Sequence, residues 1–326
     1  MIVPAHWAEA SRQHRASGKQ ITVRRFGWSE HSPAEAQAMA EARAGDALAR
    51  AIAGEKLPRR ERKVPYNGAE GVPIREEILA NVGDAVITRN SYGARCLNTP
   101  YVFFADIDHP EGASLRTHLG SFLLVLVAGA IAAWFFGHQI FGVILTLIGL
   151  SGTARAVDFF WRRRVRSHGG LEGLALERVE RCVRRDPSLG LRVYRTPRGL
   201  RVLATNRSFD PLEPAVQELF RALEVDPLYA RMCTRQRCFR ARLSAKPWRI
   251  GISEHLKPRP GVWPVRPEQR PRRERWVAEY ERRARDFAAC FHVATYGNPE
   301  FDPRVRPVVE LHDAECRALE VGMPLA

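Results

Sequence analysis

Apolar and polar positions are distributed very unevenly along this chain. Leu119 to Leu150 is 32 residues without one Asp, Glu, Lys or Arg. A helix needs about 20 mostly apolar residues to cross ~30 Å of hydrocarbon, and 32 residues in one helix would reach roughly 48 Å. At the centre of the run, Gly137-His138-Gln139 offers a turn, with Trp134 to Phe136 as an aromatic belt beside it. After the run, Asp158-Phe159-Phe160-Trp161 makes a second belt, followed by Arg162-Arg163-Arg164, the usual composition of a cytoplasmic exit. The pattern predicts a hairpin of two short transmembrane helices, about 119–136 and 139–160, inside an inserted segment 118–161, with both ends on the cytoplasmic side. A re-entrant hairpin is one alternative. A single tilted helix with polar domains on opposite faces is the other.

Outside that segment the periodicities are those of short helices and strands. Pro33 behind Ser32 opens an Ala-rich helix over 33–56, closed by Gly54. Tyr66 to Pro73 is a turn-rich loop, 74–81 a short helix, Val86-Ile87-Thr88 a strand, Ser91 to Asn98 a loop, and Tyr101 to Ala105 a buried strand. Later, 171–185 has helical spacing, and 191–205 is a β-hairpin about Pro197-Arg198-Gly199. Helices are predicted at 211–224, 227–236, 272–290 and 304–320. Cys238 to Ala245 alternates sharply: Phe239, Ala241 and Leu243 on one face, Arg240, Arg242, Ser244 and Lys246 on the other. Residues 254–273 are rich in Pro and Arg without a period, and suggest a surface arm. The predicted fold is α+β, a mixed sheet with flanking helices interrupted by the inserted transmembrane hairpin. Its parts are 1–117 and 162–253, forming the two halves of one cytoplasmic domain, and 254–326 as linker and C-terminal helices.

Composition sharpens this picture. The formal net charge is +15. The first 118 residues carry 16 Lys and Arg against 14 Asp and Glu, and residues 151–326 carry 35 against 22. A membrane protein's positive-inside bias reaches only about 15–20 residues from a span, and these cations continue far beyond it. Nucleic-acid phosphate and anionic lipid headgroups are the two common partners of such a surface. The six cysteines (Cys96, Cys182, Cys233, Cys238, Cys290 and Cys316) contain no C-x-x-C pair, and are expected as reduced core thiols. Met1 to Ala16 lacks the apolar core of a cleavable signal peptide.

Candidate chemistry begins at Asp106-Ile107-Asp108. Two carboxylates two apart at the end of a strand share a face, and could hold Mg²⁺ or Mn²⁺ over a phosphate; a polar exit from the strand is the plainer alternative. For phosphate contact the candidates are Arg201, Arg240, Arg242 and Lys246, within a wider set of Arg192, Arg195, Arg198 and Arg249, because the guanidinium fork donates two hydrogen bonds at once. Tyr194 and Trp248 could stack on a base. A solvated face, or one lying on anionic lipid, fits the same residues. His312-Asp313 is expected as a buried histidine tied to its helix. There is no P-loop, H-E-x-x-H, G-x-S-x-G or G-x-G-x-x-G pattern.

An apolar strand ending in Asp-x-Asp, then a hairpin and a basic strand, resembles the archaeo-eukaryotic primase-like polymerases over Tyr101 to Asp108 and, loosely, Tyr194 to Lys246. That resemblance implies metal binding by Asp106 and Asp108, a third acid (Asp210 and Asp226 are the candidates), and nucleotidyl transfer or a degenerate descendant of it. Arg201 stands where those polymerases have the histidine of a Ser-x-His. YNGAEGVPIREE, TRNSYGARCLNTP, CFRARLSAKPWR and VVELHD are similar to phrases of an uncharacterised family of bacterial basic transmembrane proteins, a resemblance that brings no known activity with it; together with the absent signal peptide and the positive cluster after the apolar run, the expected location is the bacterial inner membrane with the soluble parts in the cytoplasm. The expected function is therefore a membrane-anchored basic domain that binds nucleotide or nucleic acid. A non-enzymatic module docking on anionic lipid or a protein is the alternative, and whether any reaction is catalysed stays open.

Overall fold

The computed structural model describes residues 4–16, 19–61, 72–137, 139–261 and 263–326. Most of the turn-rich stretch at 66–73 lies outside them. In chain order the elements are β1 (His6–Ala16), β2 (Lys19–Ser29), α1 (Pro33–Ile52), β3 (Glu77–Val82), β4 (Ala85–Arg89), β5 (Arg95–Thr99), β6 (Phe104–Asp108), α2 (Leu115–Phe136), α3 (Gln139–Ser167) and α4 (Leu171–Arg185). There follow β7 (Gly190–Thr196), β8 (Gly199–Ala204), α5 (Pro214–Ala222), α6 (Pro227–Gln236), β9 (Phe239–Arg242), α7 (Arg270–Ala284), β10 (Phe291–Gly297) and α8 (Arg306–Cys316).

The chain is α+β. β1 and β2 form an antiparallel ribbon covered by α1, whose alanines 36, 40, 44, 47 and 51 make a buried stripe. The Ser32 hydroxyl caps α1 by accepting the Glu35 N–H. The ribbon had no counterpart in the sequence reading. Two four-stranded sheets follow, ordered β3-β4-β5-β9 and β10-β7-β8-β6, and every strand pairing in them is antiparallel rather than mixed. One apolar cluster runs through both sheets, drawing on Phe103, Phe104, Val202, Phe220, Phe239 and Val308 among others.

Several local expectations are corrected. The helix expected at 74–81 is β3, because Gly83 (φ 58°) turns the chain tightly enough for Val82 to pair with Ala85. The loop expected at 91–98 closes early at Ala94, and β5 pairs with both β4 and β9. The strand expected at 101–105 is displaced to 104–108. α7 stops at Ala284, and Phe287 packs beside Trp276 and Tyr280 from beyond its end. The segment 254–326 is no appendage: β10 extends a sheet by pairing with β7, and α8 covers it. β10 went unseen because it has no alternation of buried and exposed positions.

The apolar insert is a pair of antiparallel helices. Gly137 (φ 66°) ends α2 in the left-handed conformation, which rules out one continuous helix. A Cβ on Gly129 would fall 1.7 Å from the Thr146 hydroxyl, so only glycine allows that approach. At the base, His118 Nε2 lies 3.8 Å from Asp158. α2 begins at Leu115, somewhat before the expected start, and ends at Phe136 as expected, whereas α3 runs on through Arg162-Arg163-Arg164 to Ser167. Two segments, Leu115–Phe135 and Gly142–Ser167, are long and apolar enough to cross a membrane, and 6% of the most apolar window of each is buried. β6 precedes the insert and β8 follows it, yet they pair from Phe104↔Leu203 to Asp108↔Gly199. Both ends of the hairpin therefore join one folded body.

Candidate anion-binding cleft

β6 and β9 are edge strands of the two sheets, and they face each other across a narrow seam. The Tyr229 hydroxyl on α6 lies in it, 3.0 Å from the Phe104 carbonyl and 2.9 Å from the Arg240 carbonyl, and it accepts the Arg240 N–H at 3.2 Å. Arg201 crosses the same seam, donating from Nη1 to the Arg242 carbonyl at 2.7 Å. Beyond these ties the strands part and leave a cleft of about 510 Å³. Asp106, Asp108, Arg198, Arg240, Arg242, Lys246 and Arg249 all line it, together with Glu76, Tyr92 and Asp226. Residues from both sides of the hairpin thus meet in one place.

The eight cations singled out in the sequence divide sharply. Five carry a carboxylate. Arg192 pairs with Asp313 at 2.7 Å, Arg195 with Glu172 at 2.8 Å, and Arg198 with Glu111. Arg201 lies on β8 opposite Asp106 and donates from Nε and Nη2 to its two oxygens, at 2.7 and 3.1 Å. Arg240 bonds both Glu76 oxygens at 2.8 and 2.6 Å, and Asn98 at 2.8 Å. Glu76 also accepts the Thr88 hydroxyl at 2.6 Å. The assignments of Arg201 and Arg240 to phosphate therefore change. Arg201 is 1% exposed beneath Asp106, and Arg240 closes a buried polar network between strands.

The other three, Arg242, Lys246 and Arg249, form no ion pair among the described residues. Arg242 follows the inward-facing Ala241 on β9, and one of its nitrogens donates to the Ser244 carbonyl at 2.5 Å. Lys246 immediately precedes a short 3₁₀ turn, Pro247–Arg249, and Arg249 is its last residue. Burial, then Arg242 and Arg249, pull the Lys246 ammonium below its usual pKa. Burial, then Arg242 and Arg198, do the same to Arg249. Asp108 acts on both in the opposite sense, and Asp106 on Lys246, but neither outweighs burial and the neighbouring cations, and a net excess of positive charge in a cleft favours an anion. Beside it, Trp248 is 56% exposed, with the Tyr92 ring 5.3 Å away edge-on and the Lys246 ammonium 5.5 Å from its centroid. Tyr194, the other aromatic candidate, is wholly buried.

The two acids differ as well. Burial would raise the Asp106 carboxyl, but Arg201 outweighs it and holds the pKa below the usual carboxylate range. Asp108, one turn of the pleat further on, is exposed. Asp226 reaches the cleft, but caps α6 by accepting the Leu228 N–H at 2.8 Å; Asp210 stands elsewhere and accepts the Leu212 N–H at 2.8 Å. A Mg²⁺ or Mn²⁺ site needs several uncommitted oxygens. With both Asp106 oxygens on Arg201, Asp108 is the only acid of the Asp-x-Asp pair left, so the set fits such an ion poorly.

Sequence reasoning missed a different group. Cys290, His312 and Cys316 bring their ligand atoms within 4.8 Å of one another, a set that could hold a metal ion. All six cysteines are free thiols in buried positions, as expected. His312 is buried as expected, but it faces the sheet and Cys290 as well as Asp313. The signal available beforehand was His312 and Cys316 four apart on one predicted helix; nothing local placed Cys290 beside them. Comparison of the chain with family models, curated proteins and solved structures gives no match to any of them.

Proposed function

We propose that the cleft binds a phosphate-bearing ligand, a nucleotide or a nucleic-acid strand, in a protein held at the membrane by its apolar hairpin. The observation that carries this reading is the convergence of Arg242, Lys246 and Arg249, without carboxylate partners, beside the Tyr92–Trp248 pair. The cations would take phosphate oxygens, and Trp248 would offer a face to a base. Binding rather than catalysis is the favoured activity, because Asp106 is spent on Arg201 and metal-dependent nucleotidyl transfer would rest on Asp108 alone.

Titration calorimetry of the detergent-solubilised chain with a nucleoside triphosphate, with and without Mg²⁺, tests it. Binding should survive removal of Mg²⁺ and the Asp108→Ala change, and disappear in Arg242→Ala/Lys246→Ala. Strict dependence on Mg²⁺ and Asp108 would return the nucleotidyl-transfer reading. A nucleic-acid ligand adds a steep loss of affinity with salt. Docking on anionic lipid is the second reading, favoured by Arg162, Arg163 and Arg164 at the hairpin's base. It predicts equal binding of nucleotide-free anionic vesicles by the unmutated chain and by Arg242→Ala/Lys246→Ala. Membrane insertion is checked by alkaline extraction and by reporters fused after Arg116 and after Ser167. Both should report one compartment.

A further inference from the structure

The polar layer between α8 and the β10-β7-β8-β6 sheet contains a donor set that the cleft does not use. Cys290 immediately precedes β10, and His312 and Cys316 share a face of α8 one turn apart. All three are 0% exposed. His312 Nε2 lies 3.9 Å from Cys290 Sγ, while Nδ1 faces Asp313 Oδ1 at 3.3 Å. Asp313 is itself fixed by Arg192 at 2.7 Å. With the ring proton on Nδ1 and shared with that carboxylate, the Nε2 lone pair points towards the sulfurs. Carboxylate support behind an imidazole is the usual arrangement behind a metal-ligating histidine.

We infer that Cys290, His312 and Cys316 bind one thiolate-seeking divalent cation, with Zn²⁺ as the ion their chemistry fits. Two sulfurs and an imidazole suit a borderline-soft ion and not the oxygen-seeking Mg²⁺. Around tetrahedral zinc, with bonds of about 2.0–2.3 Å, such donors stand roughly 3.5–3.8 Å apart. The 3.9 Å between Nε2 and Cys290 Sγ is already close to this. The Arg242 carbonyl, which also accepts from Arg201, lies 3.6 Å from Cys316 Sγ. Binding forms two Zn–S bonds and one Zn–N bond and releases two thiol protons to solvent. The two thiolates cancel the ion's charge, so Arg201 keeps its pair with Asp106. Nη1 of Arg201, now 3.3 Å from His312 Nε2, yields that contact. The ion would pin α8 to the sheet directly beneath the cleft.

The test uses the full chain in detergent, stripped with chelator and titrated with Zn²⁺, and separately with Co²⁺ as the spectroscopic probe. One Zn²⁺ per chain should remain after dialysis, and Co²⁺ should give a sulfur-to-cobalt charge-transfer band in the near ultraviolet. Cys290→Ser and Cys316→Ser should each abolish the band. Asp313→Asn should weaken metal affinity about 10- to 100-fold. Retention equal to that of Cys316→Ser, or no charge-transfer band in the unmutated chain, overturns the inference. The unmutated chain decides the matter even where the serine variants do not fold.

Discussion

Two groups of cations share one cleft and behave oppositely. Arg201 and Arg240 are enclosed, and each grips a carboxylate with two or more bonds. Arg242, Lys246 and Arg249 stand nearby with no carboxylate in reach of an ion pair. The pair with Asp106 keeps the Arg201 guanidinium's pKa above its usual value despite burial, whereas Lys246 and Arg249 are pulled below theirs. What separates structural arginines from ligand-ready ones here is therefore the strand opposite, not the residue type or the distance along β9. Arg240 and Arg242 are two residues apart on one face, yet Arg240 sits across from Asn98, with Glu76 in reach, and Arg242 across from Cys96.

The largest effect should come from breaking a member of the first group. Asp106→Ala leaves the buried Arg201 charge without its partner; because the Asp106 side chain is 47% exposed and solvent screens the pair, the loss is about 3 kcal/mol, the low end for breaking a buried pair. The melting temperature should fall on the order of 10 °C. Asp108→Ala, on the same strand but exposed, should stay within about 0.5 kcal/mol of the unmutated chain. Equal destabilisation by both changes would erase the division between the two acids.

The second group should answer to ligand and not to heat. Losing a charge-assisted hydrogen bond of about 1.5–3 kcal/mol lowers nucleotide affinity roughly 10- to 100-fold for Arg242→Ala, and Lys246→Ala should behave alike. Thermal unfolding of the free protein should move little. A drop in melting temperature matching that of Asp106→Ala would place Arg242 with the structural arginines. Trp248→Ala should be milder. Stacking contributes about 1–3 kcal/mol per base, so affinity for a nucleotide should fall while affinity for inorganic triphosphate falls less, through the lost contact with Lys246 alone.

How far all this was legible beforehand follows from the range of the interactions. α1, α4, the β7–β8 hairpin and α6 rest on caps, turns and periodicity within a few residues, and their expected positions match. β3, β5 and β10 exist because distant strands pair with them, and β10 meets β7 from about a hundred residues further along the chain. The cleft's membership was readable from Asp-x-Asp and the alternation of Cys238 to Ala245. Which of its arginines were already occupied was not. That depended on Asp106 falling opposite Arg201 in register and on Glu76 lying in β3's approach, where a helix had been expected.

The finest distinction is one of protons. An ordinary lysine titrates near 10.4. Burial and two guanidiniums lower that of Lys246 in the free protein, so over the interval between the lowered and the ordinary value the unfolded chain holds more protons than the folded one. Stability therefore rises with pH across that interval, and Lys246→Met should flatten the rise. A bound phosphate reverses the local field and restores the ammonium. Over that same interval, binding should then take up a fraction of a proton, and affinity should decline as pH increases. Calorimetry in two buffers of different ionisation enthalpy reads that uptake directly. Proton uptake that persists in Lys246→Met would assign it to another group and remove Lys246 from the anion's contacts, while Arg242 and Arg249 would keep theirs.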